Sequence, residues 1–380
     1  MTEIKDILAD MRDEYLQPHD WPWIIGYSGG KDSTLVTHLV FEMLLALPPS
    51  DRKRTVHVIG NDTLVESPLV IKHLIDSMED IRKGAEAFGL PVVTQITRPD
   101  PDQSFWVNLI GRGYPTPKMG FRWCTDRMKI RPTTAYIKSK VKENGNAILL
   151  LGVRRSESSE RAKMAKRYDA TRNEDNPRLN PRGDLPGCFV YRPILELDTD
   201  DVWEYLGENE PPWGASHLHL INLYRHSLGG ECPVVTQKDD IPSCGSSSSR
   251  FGCWTCTVVQ KDKSLEGFVD SGFEEFTPLL EFRDWLLTIR DDPARRQLRR
   301  RNGLVTFTDD GSHVPGPFTV EARMEIFDHL QELQKKVGME LISEEEIDII
   351  QSMWATDILS HAVKASDAQT LVLEGGSDGR

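Results

Sequence analysis

Long hydrophobic runs are missing from this chain. No stretch reaches the roughly 18 apolar residues that span a bilayer, so no membrane segment is expected. No export signal is expected either: the first residues, MTEIKDILADMRDEYL, are charged and amphipathic, the pattern of a helix. Cysteine is scarce, at 6 in 380 residues. Without an export signal these are expected as thiols or metal ligands rather than disulfides. Positive charge is short as well, with 46 Lys and Arg against 59 Asp and Glu and a net charge of −13. That balance weighs against a chain that grips nucleic acid alone over a broad face. No internal repeat is found. What remains, 38% hydrophobic and 28% charged residues, is the composition of a soluble globular protein, and a cytoplasmic location is expected. Its length suits one large domain with a smaller one, or two to three of average size.

What the chain does have begins at Trp21. WPWIIGYSGGKDSTLVTH passes from an apolar strand pattern through Ser28-Gly29-Gly30-Lys31-Asp32-Ser33 into an apolar helix pattern. A strand, a turn of small residues and a helix start together make a phosphate cradle. Glycine lets the backbone approach an anion where a side chain would not fit. The free amides of a helix start point at the ligand with the positive end of the dipole behind them. Lys31 adds a full charge, and Ser28 and Ser33 add hydroxyls. Two adjacent glycines do not match the G-x-x-x-x-G-K-S/T loop. The six residues instead resemble the SGGKDS loop of the ATP pyrophosphatases, the PP-loop family, which split ATP between its α and β phosphates.

Strand and helix patterns alternate along the first half. Strands are expected at Trp23–Tyr27, Thr55–Ile59, Pro91–Ile96 and Ala147–Val153, with helices at Thr34–Ala46, Pro68–Phe88 and over most of Thr125–Lys142. Apolar strands separated by helices predict an α/β fold, a parallel twisted sheet covered on both faces. Ligands in such sheets sit beyond the carboxyl ends of the strands. The residues there are polar: SGGKDS after the first strand, Asn61-Asp62-Thr63 and Glu66-Ser67-Pro68 after the second, and GVRRSESSERA from Gly152 on, where the strand Ala147–Val153 ends. Helix caps explain Ser67 and Ser158; they do not explain Arg154 directly after an apolar strand. Asp169–Gly187 lacks periodicity and is expected as a loop ordered on binding. Tyr191–Leu206 predicts a strand and then a helix from about Thr199. Later helices are expected near Leu279–Arg290, Val320–Val337 and Glu344–Ala362, and a disordered tail after Ser366. His217 and His219 in HLHL would share one face of a strand, and they are expected as ordinary histidines. The run Arg290–Arg301 is arginine-rich, and Arg295–Arg301 is either a nucleic-acid contact or a solvated helix face.

A second signal is SCGSSSSRFGCWTC, which spaces Cys244, Cys253 and Cys256 as C-x8-C-x-x-C. A C-x-x-C pair puts two thiolates on one metal, and a flexible loop brings a third. Cys124, Cys188 and Cys232 are the candidates for a fourth ligand. Structural zinc ribbons carry two C-x-x-C pairs and this chain has one, which favours an iron–sulfur cluster over zinc. A redox disulfide is the lesser option, since nothing thioredoxin-like surrounds the motif.

SGGKDS, the NDT…ESP segment, RWC at Arg122–Cys124, GVRRSESSER and YRPILELDTDDVWEYL together resemble the phosphoadenylyl-sulfate reductases. Within that group, C-x8-C-x-x-C with the upstream RWCTDRMK resembles the DndC/SspD-like sulfurtransferases of bacterial DNA phosphorothioate modification. The resemblance covers about residues 20–260. It implies ATP and Mg2+ over the strand ends, held by Ser28, Gly29, Gly30, Lys31, Asp32 and Ser33, with Asp62, Arg154 and Arg161 near the nucleotide. It implies catalytic roles for Lys31, Asp32 and Cys124, and a [4Fe-4S] cluster on Cys124, Cys244, Cys253 and Cys256. Alternatively Cys124 carries the persulfide and Cys232 is the fourth ligand; Cys188 is otherwise an ordinary cysteine. The implied partners are DNA, a cysteine desulfurase as sulfur donor and other DNA-modification subunits. The chain has no Glu-Cys-Gly-x-x-His tail and no Cys-Cys pair near Cys124, so reduction of a sulfonucleotide by a tail thiol is not expected. Two rivals stand: an ATP-dependent tRNA thiolase, and a non-catalytic nucleotide- and cluster-binding subunit. The expected layout is an N-terminal helix over 1–20, the PP-loop domain over 21–230, a cysteine-rich segment over 231–278, a helical region over 279–365 and a tail over 366–380.

Overall fold

The structure, a computed structural model, describes residues 4–157, 162–163, 166, 176–227 and 251–357. The chain forms two compact units. The first comprises Met1–Arg98, Lys129–Cys253 and Asp262–Glu274, and the second Pro99–Met128, Trp254–Lys261 and Glu275–Arg380.

A six-stranded sheet organises the first unit, in the order β3-β2-β1-β4-β6-β5. Its strands are β1 (Trp23–Gly26), β2 (Val56–Asn61), β3 (Val92–Thr97), β4 (Ala147–Leu150), β5 (Asn180–Pro181) and β6 (Cys188–Tyr191). All neighbours are parallel except β5, which runs antiparallel to β6. The expected α/β architecture is therefore present, and the strand order reverses between β1 and β4.

Side chains alternate along each strand and bury both faces. Trp23, Ile25, Val56, Val58, Ile148 and Leu150 pack on one side. There they meet α1 (Ile4–Tyr15), α2 (Lys31–Ala46), α3 (Pro68–Ala87) and α5 (Thr199–Glu208). Ile24, Ile59, Ala147, Leu149 and Val190 face the other way, against Tyr136, Ile137 and Val141 of α4 (Arg131–Asn144). α1 is fastened by the buried Glu14, whose carboxylate accepts from Trp23 Nε1 at 2.6 Å and from the Arg54 guanidinium.

Some expectations are corrected. The helix expected from Thr125 opens as a wide π-type turn, Thr125–Ile130, and becomes α-helical only at Arg131. Pro132 has no amide to continue an α-ladder, so it belongs in a first turn. HLHL is not a strand: His217 leads directly into α6 (Leu218–Ser227). Arg290–Arg301 is not a helix face either, because the preceding helix stops at Ile289 and only a short turn, Pro293–Arg295, follows. The loop expected at Asp169–Gly187 is described only from residue 176 on and holds β5. The expected tail lies outside the described residues.

The first unit also holds α7 (Lys263–Asp270). The second contains α8 (Thr277–Ile289), a hairpin of β7 (Thr306–Phe307) and β8 (His313–Val314), α9 (Val320–Val337) and a helix, α10, over 344–357. Trp106, Trp254 and Phe282 form its aromatic core, with ring centroids about 6 Å apart. No helix among the described residues is long and apolar enough to cross a membrane.

Candidate functional site

β1 delivers the chain to the carboxyl edge of the sheet, beside the strand-order reversal where ligands of open α/β sheets bind. Gly29 turns there with φ +72°, a conformation that favours glycine. Gly30 is the residue that caps α2, in extended conformation, and offers no side chain of its own; the Lys31 amide reaches only the Tyr224 hydroxyl, at 3.5 Å. Ser33 folds the turn on itself: its hydroxyl accepts from the Ser28 amide at 3.2 Å and donates to the Gly30 carbonyl at 2.9 Å. Behind the turn, His73 of α3 donates Nε2–H to the Gly29 carbonyl at 3.0 Å. Burial lowers the His73 pKa, and the bond to the Gly29 carbonyl acts against that shift.

Charge converges on Asp32. Its carboxylate takes Arg154 Nε at 2.6 Å on one oxygen and Lys31 Nζ at 3.2 Å on the other. Arg154 is 1% exposed and is held in turn by the hydroxyls of Thr199, at 3.0 Å, and Ser156, at 3.2 Å. It reaches Asp32 because β4 lies beside β1, which brings the residues after Leu150 against the start of α2. Gly152 makes that approach possible: a Cβ there would sit 2.7 Å from the backbone carbon and oxygen of Asp32. Lys31 Nζ also lies 5.6 Å over the ring of Tyr224, from α6. Sequence reasoning missed Gly152, Thr199, Tyr224 and His73. Gly152 had a signal, a glycine at the end of an apolar strand; the other three come from distant parts of the chain.

Asp62 sits where β2 ends, next to β1 in the sheet. Its carboxylate is used locally, accepting from the Leu64 amide at 2.9 Å and from Arg98 Nε at 2.9 Å. Leu64 holds φ +66°, unusual for a residue with a side chain. The Thr63 hydroxyl donates to Glu66 at 3.0 Å and lies 3.4 Å from Cys253 Sγ. Glu66 also takes Lys129 Nζ at 3.1 Å, and its backbone bridges to Cys253. Cys253 thus returns to the end of β2.

Cys124 and Cys256 belong to the second unit. The buried Arg283 holds the segment after the C-x-x-C pair, donating to the carbonyl oxygens of Cys256, Val259 and Gln260. Cys124, Cys253 and Cys256 are half-buried and outside any disulfide among the described residues, so their donor chemistry suits a metal or cluster. Cys188 differs. It is packed into the sheet, and burial pushes its thiol up to about 11, which makes it a core residue. Arg161, Cys232 and Cys244 lie outside the described residues, and no group of three or more His, Cys, Asp or Glu among the described ones is arranged to hold a metal ion.

His217 is a core histidine. Its Nε2 meets His38 Nδ1 at 3.0 Å, and burial lowers its pKa to about 4. With His73, Tyr27, Trp213 and Leu220 it lines a cleft of about 580 Å³ on the α3/α6 flank, which none of Ser28, Lys31, Asp32 and Arg154 borders.

A family model described as the phosphoadenosine phosphosulfate reductase domain matches residues 22–259. No curated protein matches the chain. Solved structures similar to it include phosphoadenylyl-sulfate reductase from Candida auris in a phosphate complex, at 16% identity and TM-score 0.34, covering 53% of this chain and 79% of that one. FMN adenylyltransferase from Candida glabrata with FAD and inorganic pyrophosphate is 10% identical, with TM-score 0.34 and coverage of 86% and 82%. The U34-tRNA thiolase NcsA from Methanococcus maripaludis with its [4Fe-4S] cluster is 16% identical, with TM-score 0.34 and coverage of 57% and 68%.

Proposed function

The chain belongs to the phosphoadenosine phosphosulfate reductase domain family, and on that premise we propose that it is an ATP-dependent sulfurtransferase of DNA phosphorothioate modification, of the DndC/SspD-like kind. The observation that carries the reading is the start of α2. Gly30 leaves that helix without a side-chain cap, and Lys31, Asp32 and Arg154 gather beside it. An uncapped start flanked by a lysine suits the β and γ phosphates of ATP, which accept from its amides. Lys31 then neutralises the pyrophosphate as it leaves. Asp32, fixed by the buried Arg154, orients Lys31. Magnesium bound with the nucleotide would add charge neutralisation at the breaking α–β bond.

The proposed chemistry has three steps. A non-bridging oxygen of a DNA phosphate attacks the α-phosphorus of ATP, and pyrophosphate leaves with the electron pair of the broken bond. The DNA phosphate is then adenylylated. A persulfide sulfur from a cysteine desulfurase attacks the DNA phosphorus and AMP leaves with the oxygen. A thiol then splits the remaining S–S bond and leaves sulfur on the DNA. Cys124, Cys253 and Cys256, together with Cys244, would hold a [4Fe-4S] cluster whose contribution is structural or electron transfer, since four thiolates saturate it.

Mass spectrometry of nuclease-digested DNA tests the reading, in cells carrying the native operon with this chain intact or with Lys31→Ala. Phosphorothioate-linked dinucleotides are expected with the intact chain and not with Lys31→Ala. Their presence in both strains would overturn the role of the loop. Their absence from both, with tRNA thionucleosides that track the intact chain, would replace DNA by RNA as the substrate.

A further inference from the structure

We propose that the second unit carries a docking surface for duplex DNA, centred on Arg299, Arg300 and Arg301 with Tyr114 and Arg127 beside them; the choice of DNA over RNA rests on the function proposed above. The arginines between Arg290 and Arg301 divide into two sets. Arg290, Arg295 and Arg296 are spent on the fold. Arg295 forks onto Glu325 with both contacts at 2.9 Å, and Arg290 holds Asp291 at 2.8 Å and the Thr257 carbonyl at 2.9 Å. Arg296 donates to the Arg290 and Gly316 carbonyls, and burial lowers its pKa to about 10.

Arg299, Arg300 and Arg301 are exposed and pair with no carboxylate among the described residues. Arg299 and Arg301 each reach one backbone carbonyl, of Gly303 at 3.0 Å and Arg112 at 2.8 Å. A tight turn closed between Arg300 and Leu304, with Gly303 at φ +81°, presents the three in succession. The Arg301 guanidinium lies 5.7 Å over the ring of Tyr114, and Arg127 lies 5.2 Å over the same ring and bonds its hydroxyl at 3.1 Å. Arg127 has no carboxylate partner among the described residues either, so the cationic stripe is continuous.

In a chain with 59 acidic residues against 46 basic ones, adjacent cations left without carboxylates repel one another. They gain a compensating partner only from an outside polyanion. The apolar side chains among them, Leu298 at 64%, Leu304 at 61% and Phe307 at 60% exposure, suit the sugars and groove edges between phosphates. A single-strand platform would instead need bare aromatic faces. Here Phe307 packs edge-on against His313, and guanidinium groups overlie Tyr114. Asp309 and Asp310 at the hairpin tip would repel phosphate, which puts the contact at the arginine turn.

Fluorescence anisotropy of the purified full chain on a duplex of about 24 base pairs, from 50 to 200 mM salt, tests this surface. R299A/R300A/R301A is expected to bind at least about 10-fold more weakly at 0.1 M salt, with the log–log salt slope reduced by about 2 to 3. R299K/R300K/R301K keeps the charges and is expected within about 3-fold of the unaltered chain. Both variants should melt as the unaltered chain does. Alanine-variant binding equal to that of the unaltered chain would overturn the proposal, as would no duplex binding by the unaltered chain at 50 mM salt. So would a tRNA that binds more tightly than the duplex and alone depends on the arginines. ATP affinity without DNA should be the same in all three chains. Loss of ATP binding in all three would strike the ATP chemistry and leave this surface standing.

Discussion

Two helices start in the same unit after strands of one sheet, and they are finished in opposite ways. α5 closes on itself: the Asp198 carboxylate accepts from the amides of Asp200 at 2.9 Å and Asp201 at 3.0 Å, and Asp201 returns the bond to the Asp198 amide at 2.8 Å. α2 has Gly30 at the same position and no side-chain cap. A cap of the α5 kind contributes about 1 kcal/mol. The fold therefore accommodates a capped start, and the open one at α2 is a property of its residues. What it forgoes in stability it keeps as a place for an anion.

Removing the close approach that sets up the α2 start should have the largest effect. Gly152→Val puts a side chain 2.7 Å from Asp32 backbone atoms, and overpacking against backbone costs about 3 kcal/mol or more. Thermal melting should fall by about 6 °C or more. A melt unchanged within about 1 °C would mean that β4 and α2 do not meet as described.

Making the two helices alike is the sharper test. Gly30→Asp gives α2 the cap that α5 has. Its backbone allows this, with an ordinary φ of −85° and no atom closer than 3.4 Å to the new Cβ. The helix should gain up to about 1 kcal/mol, while the carboxylate takes the amides and repels phosphate. ATP affinity measured by calorimetry should drop about 100-fold, the scale on which a single charge-stabilising group acts. ATP bound as tightly as before would break the comparison.

Acid loads the α2 side. Burial lowers the pKa of His217, which leans on α2 through His38, to about 4. It also lowers that of His57, which faces Tyr136 of α4 on the other side of the sheet, to about 4. Unfolded histidine protonates near 6.5. Between that pH and 4 the unfolded chain binds protons that the folded chain refuses, so stability falls as pH falls. The loss should be on the order of 1 kcal/mol for each histidine between pH 7 and pH 5. Urea melts across that range should lose part of this dependence in His217→Gln. The smallest effect is expected at the other helix, where Asp198→Ala should cost about 1 kcal/mol and leave ATP affinity unchanged by calorimetry.

The sheet and the phosphate turn were legible because both are local. An apolar run that ends in SGGKDS carries its strand, its turn and its helix start within one stretch of sequence. The helix at Val320–Val337 was legible for the same reason, periodic between a Thr319 cap and Gly338. HLHL was misread because two histidines two apart fit a strand face, while the helix after them is set by the packing of Leu220 and Leu223. Tyr224, His73 and Thr199 reach the turn only through tertiary structure, and no spacing rule connects them to it. In the arginine run, Arg295 and Arg299 look alike in sequence. Glu325, far along the chain, joins the nearby Asp292 in making one structural, while the other stays exposed.

The account stands most directly on what becomes of ATP at the open start of α2. Product analysis of ATP labelled at the α-phosphate, incubated with the purified full chain and duplex DNA, reads this out. The account predicts AMP and pyrophosphate, with formation reduced at least about 100-fold in Lys31→Ala. ADP and phosphate as products, or AMP formed equally well by Lys31→Ala, would contradict it.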